Sequence, residues 1–254
     1  MSAALSRWRA CPLGAAVLLW LALAAGPAHG AAVLADLSSH IIAIGGGFTG
    51  DSVVLFGSTD GPGDIIAVVR GPERGVTVWR KGKVAGIWVN AQSVTFDSVP
   101  SYYAVVASRP VEQLVQPEAA ALYKIGPANL KLTPVSPVPP DRARLFAEAL
   151  IEQQQRAGLF AADIGKVNFL GERLFRATLS FPANVPTGTY LVQVFLVRDG
   201  DVVSGQTTPL VVSKVGVDAA IFDLAIREPA AYGAIAIVTA VVAGWLASLP
   251  FRGV

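Results

Sequence analysis

A chain of 254 residues with 53% hydrophobic side chains and a mean hydropathy of +0.53 is more apolar than a purely soluble domain and points to membrane-embedded segments. Its 20 basic residues exceed its 18 acidic ones only through Arg7 and Arg9 of an N-terminal leader; without them the charge is balanced, leaving no electrostatic footprint for nucleic acid. The single cysteine, Cys11, falls in the same leader, so a processed chain has no disulfide, thiolate nucleophile or cysteine zinc site.

Residues 1–30 read as a signal peptide. Arg7 and Arg9 supply the basic region and 13–25 the apolar one, Pro27 breaks the helix, and Ala28-His29-Gly30 predicts cleavage after Gly30. A β-rich domain is expected over 31–133, with strand-like runs at 40–44, 52–57, 65–69, 76–80, 87–89, 94–96 and 102–107 separated by Gly, Pro and Asp clusters. Residues 109–123 turn mixed and helical in character. Four prolines at 134, 137, 139 and 140 then mark a linker, 134–160, whose second half is a helix: Asp141 offers an N-cap, Leu145, Phe146, Ala149 and Leu150 recur at helical spacing, and Gly158 stops it.

A second β region, 161–213, holds runs at 167–170, 174–181, 190–197 and 202–212, the last two joined by Asp199-Gly200, a pair suited to a tight primed hairpin turn. Pro186-Thr187-Gly188-Thr189-Tyr190 resembles the tyrosine-corner approach of immunoglobulin-like sandwiches, with Val192 where disulfide-bearing members carry cysteine. Residues 214–229 form an amphipathic connector through Val217, Ala220, Ile221 and Leu224. The uncharged run 230–249 then spans about 30 Å as a helix, the hydrocarbon thickness of a bilayer, with Tyr232 and Trp245 placed toward its ends. Residues 250–254 are left as a cytoplasmic tail.

Searches for chemistry return structural readings. Gly45, Gly47 and Gly50 satisfy GxGxxG, but the following run is a strand and not the helix a pyrophosphate needs. Asp36, Ser39 and His40 have the residue types of a hydrolase triad without a nucleophile elbow. Asp60 and Asp64 around Gly61-Pro62-Gly63 suit a turn as well as a calcium loop. No catalytic, metal or cofactor set is assigned, and the expectation is a protein that is not an enzyme and carries no cofactor. Two sets of residues suit partner binding instead: the aromatics Trp79, Trp88, Tyr102 and Tyr103 beside Arg80, Lys81 and Lys83, and the small-residue stripe Ala236, Ala240 and Gly244, which lets a second helix approach closely.

The words Ala35-Asp36-Leu37-Ser38, Gly47-Phe48-Thr49-Gly50, Leu55-Phe56-Gly57, Val69-Arg70-Gly71-Pro72, Ala85-Gly86-Ile87-Trp88-Val89-Asn90, Tyr102-Tyr103-Ala104 and Arg109-Pro110, with Tyr232-Gly233, Gly244-Trp245 and Phe251-Arg252 near the end, resemble the putative transmembrane protein family of alphaproteobacteria. The resemblance implies relatives along nearly the whole mature chain and a neighbouring multi-span permease resembling sulfite exporters; it implies no catalytic residue.

The sequence thus predicts a mainly β protein, one or two immunoglobulin-like β-sandwich domains with an inserted helix, plus a C-terminal transmembrane helix. It would be single-pass in the bacterial inner membrane with its ectodomain in the periplasm. Its expected role is that of a non-enzymatic accessory or scaffold for a membrane partner such as a transporter; a periplasmic ligand-binding or envelope-sensing module is the alternative. Oligomeric state is left open by the sequence.

Overall fold

The structure, a computed structural model, describes residues 32–84, 86–216 and 224–248. The expected signal peptide with its cleavage site and Cys11, the expected cytoplasmic tail, and residues 217–223 of the connector, with Val217, Ala220 and Ile221, fall outside the described residues; of the connector's latter part, 224–227 are helical.

Twelve strands are described. They are β1 (Val33–Leu37), β2 (Ile41–Ile44), β3 (Gly50–Thr59), β4 (Asp64–Arg70), β5 (Glu73–Val84), β6 (Ile87–Pro100), β7 (Tyr103–Ala107), β8 (Thr133–Pro134), β9 (Gly165–Leu170), β10 (Leu174–Pro182), β11 (Gly188–Arg198) and β12 (Asp201–Lys214). The helices are α1 (Val111–Leu114), α2 (Pro117–Leu122), α3 (Pro140–Arg156) and α4 (Pro229–Ser248), with a 3-10 turn at Pro127–Asn129.

Nine strands form one curled sheet in the order β1-β3-β10-β9-β7-β4-β11-β12-β2. Pairing is antiparallel except for β12 with β2 and a two-residue contact of β7 with β9. The curl sets β1, β3, β10 and β9 against β7, β4, β11, β12 and β2. Between them lies a core built from Leu55, Phe175, Leu179, Phe181, Ile65, Val69, Tyr190, Val192 and Leu210 among others. In β10 alternation is strict, with Phe175, Ala177, Leu179 and Phe181 buried, Leu174, Arg176, Thr178 and Ser180 exposed and only the terminal Pro182 half-buried, the period of a sheet wet on one face.

The strands β4 and β7 are buried on both faces, which explains their unbroken apolar runs Ile65-Ile66-Ala67-Val68-Val69 and Tyr103-Ala104-Val105-Val106-Ala107. Their second face meets another core, in which Ile66, Val68, Tyr103, Val105 and Phe195 pack against Phe146 and Leu150 of α3, Phe160, and Val78, Val94 and Phe96 from the root of the β5–β6 hairpin. This third layer is an insertion, entering after β4 and again after β7.

Strands expected in separate segments alternate within the sheet: β10 pairs with β3, and β11 pairs with β4. Neither 31–133 nor 161–213 closes a core alone. Helix α3 starts two residues earlier than expected, with Pro139 at the N-cap, Pro140 at N1 and Asp141 inside the first turn, where its charge meets the positive end of the helix dipole. Its buried stripe is Phe146, Leu150 and Gln154 rather than Leu145 and Ala149. Gly158 takes φ +71° after the last turn, as a helix stop does.

Two junctions fix the curl. Gly57 faces inward so tightly that an added Cβ would sit 2.4 Å from the Leu34 carbonyl oxygen and 2.5 Å from the Phe175 ring, so only glycine fits. Where β1 lies beside β12 without a ladder, the Gln206 side chain supplies one: its Nε2 donates to the Ala35 carbonyl at 2.8 Å, and its Oε1 accepts from the Ala35 N–H at 2.9 Å.

Candidate functional site

The aromatic set Trp79, Trp88, Tyr102 and Tyr103 separates in space. Tyr102 is only 4% exposed. It stacks on Phe181 with centroids 5.2 Å apart, and its hydroxyl donates to the Ser180 carbonyl at 2.6 Å. Tyr103 points into the other core, 5.8 Å from the Phe160 ring, donating to the Lys124 carbonyl and accepting from the Gly126 N–H, both at 2.8 Å. Burial raises both phenol pKa values well above the ordinary one. Adjacent residues of an extended chain face opposite ways, and between two cores both become buried. Tyr102 and Tyr103 therefore leave the proposed binding patch.

The tryptophans stay in it. Past the last buried pair, Val78 opposite Val94, the β5–β6 ladder runs on for six residues to Val84, an arm of about 20 Å. Trp79 is 56% exposed, Trp88 66%, Ile87 68% and Val89 40%, and every residue from Ile87 to Ser93 is exposed. The register places Lys83 opposite Trp88 and Lys81 opposite Asn90, so Trp79, Lys81, Lys83 and Trp88 share one face. The Lys83 ammonium lies 6.0 Å from the Trp88 ring centroid, at the outer limit of a cation–π contact. Ile87 and Val89 take the other face, in line with the buried Val78. A register shift after Arg80 adds Ala91, whose Cβ would be 2.7 Å from one placed on Gly82; that is why glycine stands there.

Ile87 and Val89 were not singled out by sequence reasoning, although a signal exists. Three consecutive apolar residues, Ile87-Trp88-Val89, follow a glycine at φ +87° and precede Asn90, so neighbouring positions on both faces are apolar. That pattern fits a strand buried on both sides or a projecting tip; the cations opposite decide for the tip.

Helix α4 brings Ala236, Ala240 and Gly244 onto one stripe at i, i+4 and i+8. Among the described residues, and apart from the helix's own backbone, no atom lies within 4 Å of a Cβ built on Gly244. Ile235, Ile237, Val238, Val241, Val242 and Trp245 are exposed around the remaining circumference. Among the described residues no helix is long and apolar enough to cross a membrane; the part of α4 with described side chains, 229–245, spans about 25 Å against the ~30 Å of a hydrocarbon core.

The other candidates resolve locally. His40 Nε2 comes within 2.9 Å of Asp36 Oδ1, but Ser39 Oγ donates to the Ile41 carbonyl at 2.7 Å, so the hydroxyl is engaged with backbone. Asp60 pairs with Arg198 and Asp64 with Arg109, and Ser108 Oγ donates to Asp64 at 2.7 Å. Guanidinium groups occupy the carboxylates a calcium ion would need. The Arg109 bond holds the Asp64 carboxyl below its usual range against the opposing effect of burial. After Gly50 the chain enters β3, a strand. A cavity of about 420 Å³ lies under the helical insertion, lined by Val105, Val111, Val115 and Ile125 with Glu112 and Asp163 as its carboxylates.

These features define a β-sheet protein with an inserted arm and an apolar C-terminal helix. The chain belongs to the family described as putative transmembrane protein (Alph_Pro_TM), whose match covers residues 32–253. No curated protein and no solved structure matches the chain.

Proposed function

We propose that the protein is a periplasmic module of immunoglobulin-like build, held at the inner membrane by α4, that serves as a non-enzymatic accessory to a membrane partner such as a multi-span permease. The observation that carries this reading is α4 itself. Its 20 helical residues include no charged side chain, and its apolar groups are exposed around the axis where a soluble helix would present a polar face. With Leu249 the uncharged run 230–249 reaches the length of a span, and family membership agrees. The leader and the Arg252 tail orient the ectodomain outward.

The immunoglobulin-like build is supported by topology. The order β1-β3-β10-β9 corresponds to A-B-E-D, and β4-β11-β12 to C-F-G. The Tyr190 hydroxyl donates to the Pro186 carbonyl at 2.5 Å, the bond of a tyrosine corner at the start of the penultimate strand. The non-enzymatic reading draws on the carboxylates Asp60 and Asp64 and the hydroxyl of Ser39 being engaged in structure. The cavity beside Val115 favours a second reading, a ligand-binding or envelope-sensing module.

The test is affinity purification of the C-terminally tagged full chain from its native membrane in mild detergent. A multi-span protein is expected to co-purify in stoichiometric amount and to be lost from the Ala240→Leu, Gly244→Leu double variant, whose bulk closes the small-residue stripe. Recovery of the protein alone, or a partner retained unchanged by the double variant, would overturn the helix-mediated accessory role.

A further inference from the structure

We propose that the tip of the β5–β6 arm is a second membrane contact, one that docks onto an anionic lipid surface. The proposal rests on the tethered reading and adds a binding site distinct from α4.

Composition comes first. Between Glu73 and Asp97 the chain has no carboxylate, while Arg74, Arg80, Lys81 and Lys83 supply cations. Among the described residues none of these four stands in an ion pair. Two tryptophans, an isoleucine and a valine stand exposed beside them. Tryptophan prefers the headgroup level of a bilayer, aliphatic side chains enter the acyl boundary, and lysine or arginine meets anionic headgroups. A protein groove typically covers one face of a strand pair, whereas this tip is apolar on both.

Placement is the second argument. Strand β4 ends at Arg70 opposite Leu191, and Val212 near the end of β12 lies opposite Gly188. A Cβ on Gly188 would be 2.7 Å from the Pro72 ring, and Pro72 accepts from the Ser101 N–H at the root of the arm. The arm therefore leaves the sandwich at the same end as the chain that runs on to α4, about two strand spacings or ~10 Å away. From Lys214 to Pro229 the connecting chain reaches at most about 50 Å, so a body tethered by α4 holds this end within reach of the bilayer.

The experiment uses the full chain in vesicles, in a Cys11→Ser background, with an environment-sensitive fluorophore on Ile87→Cys. Parallel samples carry it on Glu172→Cys, in the β9–β10 turn at the opposite end, and on Ile235→Cys in α4. Vesicles contain brominated phosphatidylcholine with or without phosphatidylglycerol. In phosphatidylglycerol vesicles the Ile87 label should shift to the blue and be quenched, while the Glu172 label is not. Each cation near an anionic surface is worth roughly fivefold in occupancy, so Lys81→Glu with Lys83→Glu should lower the docked-to-free ratio by at least about 25-fold. A quenched Ile235 label with an unquenched Ile87 label would leave the tether standing and overturn docking. Equal Ile87 quenching in both lipids, or Ile87 protection only when a co-purifying protein is present, would overturn an anionic lipid surface as the occupant. Failure of the Ile235 label to quench would overturn the tether, and docking with it.

Discussion

Replacing Gln206 by Ala should loosen β1 and leave the rest of the sheet standing. Ala35 is almost fully buried; β3 pairs with β1 on one side, and on the other the Gln206 amide satisfies both of its backbone groups. Removing the amide deletes two hydrogen bonds, each worth about 1 kcal/mol net, and leaves an N–H and a carbonyl with poor access to water. Gln206 is itself half-buried, so the lower end of the range applies and the loss is about 2 kcal/mol. For a body of this size that lowers Tm by roughly 4–8 °C. The assay is near-ultraviolet circular dichroism of the detergent-solubilised full chain, with hydrogen exchange read at single amides. The Ala35 amide should exchange faster, while those of Leu34 and Asp36, which alternate toward β3, keep their protection. Gln206→Glu retains an acceptor for the N–H but sets a carboxylate against the carbonyl, and should melt lower than Gln206→Ala. A Tm within about 1 °C of the parent, with Ala35 exchange unchanged, would refute the idea that this side chain closes the sheet.

Tyr190→Phe removes the corner bond to Pro186 from a ring that is fully buried and whose phenol is pushed up to about 12, chiefly by burial; a loss of about 1–2 kcal/mol is expected in denaturant unfolding, with the same m-value. Asp64→Asn tests the Arg109 pair through pH. The folded carboxyl is held below its ordinary 3.8, so its contribution is present above that pH and is lost as pH falls through the folded value. An acid titration of stability should therefore be shallower below pH 3.8 for Asp64→Asn than for the parent, the two curves running parallel from pH 5 to 7; identical slopes in acid would remove Asp64 from the account.

The strands were legible where one face is wet and local chemistry is strong. Asp199 and Gly200 take φ +53° and +89°, the pair of positive values a type I′ turn requires, and the turn joins β11 to β12 as their sequence demands. The Tyr190 to Pro186 hydrogen bond was legible because it closes over four residues. Strand β1 was missed, since Val33-Leu34-Ala35-Asp36-Leu37 borders the expected leader. The segments 76–80, 87–89 and 94–96 merge into two long strands because Lys81-Gly82-Lys83 reads as a turn while its backbone continues the ladder. Pairing between distant segments, β3 with β10 and β4 with β11, leaves no trace in periodicity, which reports a strand's faces and not its edges. The fates of Tyr102 and Tyr103 follow from that limit: both suit a strand, and only the added third layer buries the second face.

The curled sheet has two unlike ends, and the insertion point of the arm makes them so. At one end Asp60 ties the turn after β3 to Arg198 at the end of β11, which also donates to the Pro62 carbonyl at 2.8 Å, and Asp64 at the start of β4 pairs with Arg109 just after β7. At the other, the β4–β7 ladder does not stop at Arg70. It continues through the Gly71 N–H to the Tyr102 carbonyl and the Ser101 N–H to the Pro72 carbonyl, then into Glu73 opposite Pro100, so the arm is an extension of the central strands. Placed in the turn at 60–64, the same aromatic and basic sequence would point away from the exit of β12. Placed after β4, it shares an end with Val212 and Lys214. For a chain tethered beyond Lys214, that choice of insertion site puts the exposed tryptophans and the cations on the side where a bilayer would lie, while the paired carboxylates occupy the opposite end.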